Sequence, residues 1–266
     1  MNENDEILTI TPLPQLAARN SWRAEALHAL PSHTLIWFTK GQGRIRVAGR
    51  RSSFSTNSVL FIPAGIPHAF DAKPGHFGQI VTIPVHEELQ LPEEPILYRV
   101  RDVVLHGEFI NLFEGLQKEV GREDVMGRKA RACRLHAALL GLWLARQDNH
   151  LVSGLGSASE ALARRYTTLV ERDYAKAPSI AELADELGVT PTHLSRACRA
   201  ALGYTAHDIL SERVMFEARS QLAGSARPVN AIAADLGFSS PAYFTRAFQK
   251  FTGNTPSAFR EAHRIA

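Results

Sequence analysis

Cysteine is nearly missing from this chain: Cys133 and Cys198 are the only two in 266 residues. Two thiols cannot build a disulfide framework or a four-thiolate zinc site. Long apolar runs are also absent. The longest, Ala137–Ala145 (AALLGLWLA), covers about half a membrane span and reads as a buried helix. The first residues, MNENDEILTI, are acidic and polar, where a secretory leader is basic and then apolar. Charge of one sign is scarce too. Thirty Lys+Arg against 27 Asp+Glu leave a net +3, too little alone to name a nucleic-acid partner. These absences exclude secreted disulfide-rich and fibrous classes, and the expectation is a cytoplasmic protein with no membrane partner. What remains is ordinary globular composition, 45% hydrophobic and 21% charged, on a chain long enough for two domains.

The pattern of the first half is that of a β domain. Leu35-Ile36-Trp37-Phe38 is an apolar run that ends at the turn signal Gly41-Gln42-Gly43. Ile45 and Val47 alternate with Arg44 and Arg46, and Val59–Ile62 is another short apolar segment. Short strands punctuated by Gly and Pro imply a small antiparallel barrel or sandwich. From Glu108 the period lengthens: Phe109, Leu112, Phe113, Leu116 and Val120 share a helical face. A second helix is expected over about Arg128–Arg146, and Leu135, Leu139, Leu142 and Trp143 on it are expected to offer surface for a dimer interface. The organisation expected is therefore a β domain over 1–105, a helical dimerisation segment over 106–150, a Gly/Ser-rich linker over 151–159 and an all-helical domain over 160–266.

That last domain repeats itself. Leu187-Gly188 recurs 49 positions later as Leu236-Gly237, and Ser195-Arg196 recurs 50 positions later as Thr245-Arg246. Each copy is a short helix, a turn through Gly, and a second helix opened by a hydroxyl residue ahead of proline: Thr190-Pro191 and Ser240-Pro241. This is the outline of a helix-turn-helix, whose second helix can enter the major groove. No acid lies between Glu186 and Asp208, or between Asp235 and Glu261, and each window holds one of the second helices, as an anionic partner requires. Periodicity sends Leu194, Ala197 and Cys198 inward, with Phe244, Ala247 and Phe248 in the second copy. The outward candidates for double-stranded DNA are Thr192, His193, Ser195, Arg196 and Arg199, then Ala242, Tyr243, Thr245, Arg246, Gln249 and Lys250. Arginine can read guanine bidentately, and Thr, Ser and Gln can reach phosphates or base edges. For His193 and Tyr243, local packing is the alternative.

Ser179–Arg260, with the stretches GVTPTHLSR, EARSQLAGS and IAADLGFSSPAYFTRAFQKFTGNTPSAFR, resembles the DNA-binding domain of the AraC/XylS family of transcription regulators. The resemblance implies two helix-turn-helix units joined by a long helix, here about His207–Leu222. Pro191 and Ala242 stand where some members carry larger polar residues, so a base preference does not carry over. Pro63-Ala64-Gly65-Ile66-Pro67-His68 matches the core of a cupin barrel motif and, ahead of this domain, resembles the family's effector-binding sensor. The fold class implied is two-domain: a cupin-like β barrel with two following helices, then an all-α domain with two helix-turn-helix units.

Cupin enzymes hold a metal on three histidines and a glutamate. Here only His68 fits: Thr34 stands in the glutamate slot and no H-x-H pair exists. The sequence therefore implies no metal, no cofactor and no catalysis. Effector contact is expected at Trp37 and Phe61 as apolar wall, with His33, Lys40 and His68 as polar contacts. A one-residue register slip would turn these away. The function implied is a homodimeric, effector-responsive activator of catabolic genes that meets RNA polymerase. The alternatives are a metal-dependent cupin enzyme fused to a DNA-binding domain, and a constitutive regulator with a vestigial barrel.

Overall fold

The structure, a computed structural model, describes residues 8–48, 50–87, 89–123, 128–147, 151 and 157–263, without the side chains of 17–20. Two compact units divide the chain: Met1–Ser21 with Leu30–Gly154, and Trp22–Ala29 with Leu155–Ala266.

Among the described residues the first unit holds eight strands: β1 (Thr9–Pro12), β2 (His33–Lys40), β3 (Gly43–Val47), β4 (Arg50–Phe54), β5 (Ser58–Ile62), β6 (His68–Phe70), β7 (Phe77–Ile83) and β8 (Ile96–Arg99). They form two antiparallel sheets, in the orders β1-β7-β2-β5-β8 and β4-β3-β6. Alternation along β2 assigns its two faces. Phe38 stacks on Phe54 with centroids 3.8 Å apart and meets Phe70 edge-on at 5.9 Å, so Thr34, Ile36 and Phe38 look toward the smaller sheet. Leu35 and Trp37 look the other way, onto two helices.

Those helices are α2 (Val103–Gly121) and α3 (Arg128–Ala145). Asp102 caps α2, its carboxylate accepting from Val104 N at 2.8 Å and Leu105 N at 3.0 Å. The cap starts the helix before Glu108, where periodicity sets in, because Val103 and Val104 are exposed and carry no apolar pattern. Phe109, Phe113 and Leu116 of α2, and Cys133, Ala137, Leu140, Trp143 and Leu144 of α3, close over Leu35, Val59, Phe61 and Val81.

Helix α1 (Leu13–Glu25) is an element that the sequence does not announce. Its last residues and the following turn differ from the expected division, since Trp22–Ala29 belongs to the second unit. The cause is burial. Trp22 lies 5.6 Å from both Phe216 and Phe259, and His28 stacks on Phe216 at 4.5 Å.

The rest of the second unit, among the described residues, is helical: α4 (Ala158–Asp173), a 3-10 turn (Tyr174–Lys176), α5 (Ile180–Glu186), α6 (Pro191–Leu202), α7 (Ala206–Gly224), α8 (Val229–Asp235), α9 (Pro241–Thr252) and α10 (Pro256–His263). A capping box between Ser157 and Glu160 starts α4 two residues ahead of the expected boundary. Of the expected linker, residues 152–156 lie outside the described residues. Among the described residues no helix is long and apolar enough to cross a membrane.

Candidate nucleic-acid interface

Both second helices are built alike. Thr190 caps α6 by accepting from His193 N at 3.2 Å, and Ser240 caps α9 by accepting from Tyr243 N at 3.2 Å, each with proline in the first turn. Gly203 and Gly253 follow their last turns. Such caps satisfy backbone donors that have no intrahelical partner and are each worth ~1 kcal/mol.

Side chains divide as periodicity predicts. Leu194, Ala197, Cys198, Phe244 and Phe248 are buried, while Ala247 is half-buried. Burial pushes the Cys198 thiol up to about 12, so it is an inert core residue. Thr192, His193, Arg196 and Arg199 are exposed on α6, as are Ala242, Tyr243, Arg246, Gln249 and Lys250 on α9. Ser195 and Thr245 are half-buried, and the Thr245 hydroxyl donates to Pro241 O at 2.9 Å, which commits its proton to the backbone. The Tyr243 ring leans on Phe238 at 5.9 Å and still leaves 54% of the residue exposed.

The electrostatics are sharper than the net charge. Among the described residues, none of Arg196, Arg199, Arg246 and Lys250 forms a salt bridge with an acid of the chain, although Asp208 attracts Arg199 at longer range, and several acids pair with other cations. Glu182 and Asp208 close capping boxes with Ser179 and Thr205, which hold both carboxyls below their usual range. Glu171 and Glu217 bind Arg213, Asp235 binds Arg227, and Asp173 lies between Arg172 and Lys176, which bring its carboxyl down to about 2. Two outward faces are left with cations, hydroxyls and amides, complementary to a phosphate backbone and base edges.

The barrel residues expected to meet an effector are not gathered. Trp37 packs edge-on against Phe109 at 5.3 Å and Phe113 at 5.1 Å, and Phe61 stacks with His33 at 5.9 Å in the layer under α2 and α3. The register therefore turns Trp37, Phe61 and His33 away from the space between the sheets. Lys40 is exposed, 5.6 Å above the Phe77 ring. His68 alone keeps the expected aspect: it shares the parity of Phe70, which meets Phe38 between the sheets. Its Nδ1 lies 2.9 Å from Ile66 O, and burial lowers its pKa to about 4, so the ring is neutral. Thr34, marked in the sequence only as a lost ligand position, points inward with a buried hydroxyl that has no partner among the described residues. Strand parity is the signal that singles it out. Among the described residues no group of three or more His, Cys, Asp or Glu could hold a metal.

Surface on α3 is also not as expected. Leu135, Leu139 and Leu142 are exposed, but Trp143 is buried and donates Nε1–H to Glu108 Oε2 at 3.2 Å. Its indole belongs to the core and not to an outer stripe.

A β unit followed by a tandem helix-turn-helix unit defines a class, regulators that join a sensor to a DNA reader. A family model described as "AraC-like ligand binding domain" matches residues 16–145, and one described as "Helix-turn-helix domain" matches 183–262. The chain belongs to the AraC/XylS family of transcription regulators. The arabinose operon regulatory protein of Escherichia coli is 31% identical over 81 residues, 30% of this chain and 28% of that protein. Thermoregulatory protein LcrF of Yersinia pestis is 27% identical over 127 residues, 48% of this chain and 47% of that one. The matches thus span about half or less of these curated relatives. Apo ToxT K231A of Vibrio cholerae shares the fold at TM-score 0.55 and 12% identity, over 97% of each chain.

Proposed function

We propose that this chain is a cytoplasmic, sequence-specific DNA-binding regulator that activates catabolic genes in response to a small molecule. The observation that carries the reading is the pair of matching faces on α6 and α9, exposed, acid-free and free of internal salt bridges. Contact with RNA polymerase would turn occupancy into transcription. The likeness to an arabinose operon regulator supports a catabolic target.

The effector site belongs between the two sheets, at Thr34 and His68 and the rings of Phe38, Phe54 and Phe70. A neutral imidazole and an unpartnered hydroxyl in an apolar wall suit a small, largely apolar molecule with one or two hydrogen-bonding groups. Leu135, Leu139 and Leu142 form a stripe on α3 suited to a second copy of the chain.

The test is selection of duplexes from a random-sequence pool by the full chain. A recurring motif is expected; a pool that never enriches would overturn the proposal.

A further inference from the structure

Two copies of one motif ought to make the same demands on matching positions, and here they do not. Gly188 and Gly237 occupy equivalent places in the two turns and are both left-handed, at φ +72° and +75°. A Cβ on Gly188 would meet nothing within 4 Å. One on Gly237 would overlap the Ala177 Cβ, with Ala177 Cα at 3.4 Å and its nitrogen at 3.7 Å. Ala177 is itself left-handed, at φ +51°, and its N–H donates to Tyr174 O at 3.2 Å where the chain leaves α4 for α5. The turn of the second unit therefore abuts the lead-in of the first.

Ala177 follows an anchored turn. Arg213 of α7 donates Nε–H to Glu171 Oε2 at 2.8 Å and a terminal N–H to Glu217 Oε2 at 3.1 Å. Its guanidinium carbon sits 3.7 Å from the centre of the Tyr174 ring. The side chains of Arg213 and Glu171 are only 12% and 10% exposed, so this cluster ties α4, the 3-10 turn and α7 together.

Helix α7 runs through both helix-turn-helix units. Near its start Ala206 O accepts from the buried Tyr166 hydroxyl at 2.6 Å, and further along Met215, Phe216 and Leu222 enter the core around Phe244 and Phe248. A single connecting helix can bend. Beside it lies a groove of about 950 Å³, with Leu210 and Val214 of α7 on one side and Tyr243, Arg246 and Lys250 of α9 on the other. The groove leaves α9 room to tilt. A second tie, away from the helix axis, removes that freedom.

We infer that the Ala177–Gly237 contact is a stop that fixes the angle between the two recognition helices, and with it the half-site separation that a bound duplex must present. Gly237 and Ala177 are then specificity-determining residues that touch no base. This goes beyond the proposed function, which requires only that both helices bind.

The internal copy supplies the control. Gly188→Ala and Gly237→Ala incur the same left-handed strain, but only the second drives a Cβ into Ala177. The Ala177→Gly, Gly237→Ala double variant keeps the strain at position 237 and removes the overlap, and Ala177→Gly alone measures what relief of the left-handed conformation at position 177 contributes. Each full-length variant is melted, then titrated by fluorescence anisotropy on an enriched duplex and on versions one base pair longer and shorter between the half-sites. The wild type and Gly188→Ala should lose about tenfold or more on both altered spacings. Gly237→Ala should weaken on the original spacing or shift its optimum, and the double variant should return to the wild-type profile. If Gly237→Ala fails to fold, recovery of melting by Ala177→Gly beyond the gain that Ala177→Gly gives alone supports the stop. Matching behaviour of Gly188→Ala and Gly237→Ala, in melting and in spacing, would overturn the inference, as would a double variant that recovers neither. Absence of an enriched duplex would instead count against the proposed function and leave the melting comparison to decide.

Discussion

Arg196 and Arg246 stand at matching points of the repeat, exposed and, among the described residues, without a salt-bridge partner. If each reads a base, Arg196→Ala and Arg246→Ala should each cost ~1–3 kcal/mol on an enriched duplex. Melting should not move, because neither side chain holds the fold. Anisotropy titration checks this, and unchanged affinity in both variants would remove the assignment. At His68 the expected effect is on stability. Its folded pKa of about 4 lies below the ordinary 6.5, so the unfolded chain binds the extra proton between these values. Stability from this group is complete above pH ~6.5 and falls as pH drops through 4, by ~3 kcal/mol in all. Denaturant titrations from pH 7 to 4 should show this slope in the wild type and a shallower one in His68→Gln. Equal slopes would mean that His68 is not the group responsible.

Among the elements, the two reading helices depend first on their caps. Thr190→Ala and Ser240→Ala should each lower stability by ~1 kcal/mol, read as a shift of the denaturation midpoint. The same caps explain why the DNA-binding half is legible in the sequence: Thr190-Pro191, Ser240-Pro241 and the 3.6-residue period are local signals, and local signals fix helix ends and faces. The barrel is less legible for an opposite reason. Leu35-Ile36-Trp37-Phe38 is apolar on both faces, because one is covered by the smaller sheet and the other by α2 and α3. A strand buried on both sides has no polar residue to mark its parity, so the sequence points Trp37 and Phe61 at an effector while the fold lays them under the helices. Trp143 misleads in the same way, since a stripe rich in leucine does not say which part faces a partner. The remaining stripe still predicts an interface: Leu139→Glu should halve the mass of the particle seen by light scattering while leaving helicity unchanged. A wild-type chain that is already monomeric at micromolar concentration would exclude that interface.

Taken as one molecule, the protein carries two copies of one helix, α6 and α9, which under the proposed function read the same duplex. Helix α7, 19 residues and so about 28 Å long, separates them by a distance comparable to one turn of DNA. The Ala177 stop and the Arg213 cluster make that spacing a property of the fold rather than of the ligand. Trp22–Ala29 adds a constraint on how the chain is cut. Because Trp22 completes the core around Phe216 and Phe259, a fragment that starts at residue 155 loses that ring. Whether both helices engage is decided by guanine-N7 protection with the full chain on an enriched duplex, with Arg196→Ala and Arg246→Ala alongside. Two protected major-groove segments about one helical turn apart are expected, and each substitution should erase one of them. A single protected segment untouched by one of the substitutions, or uniform protection along the duplex, would contradict engagement by both helices.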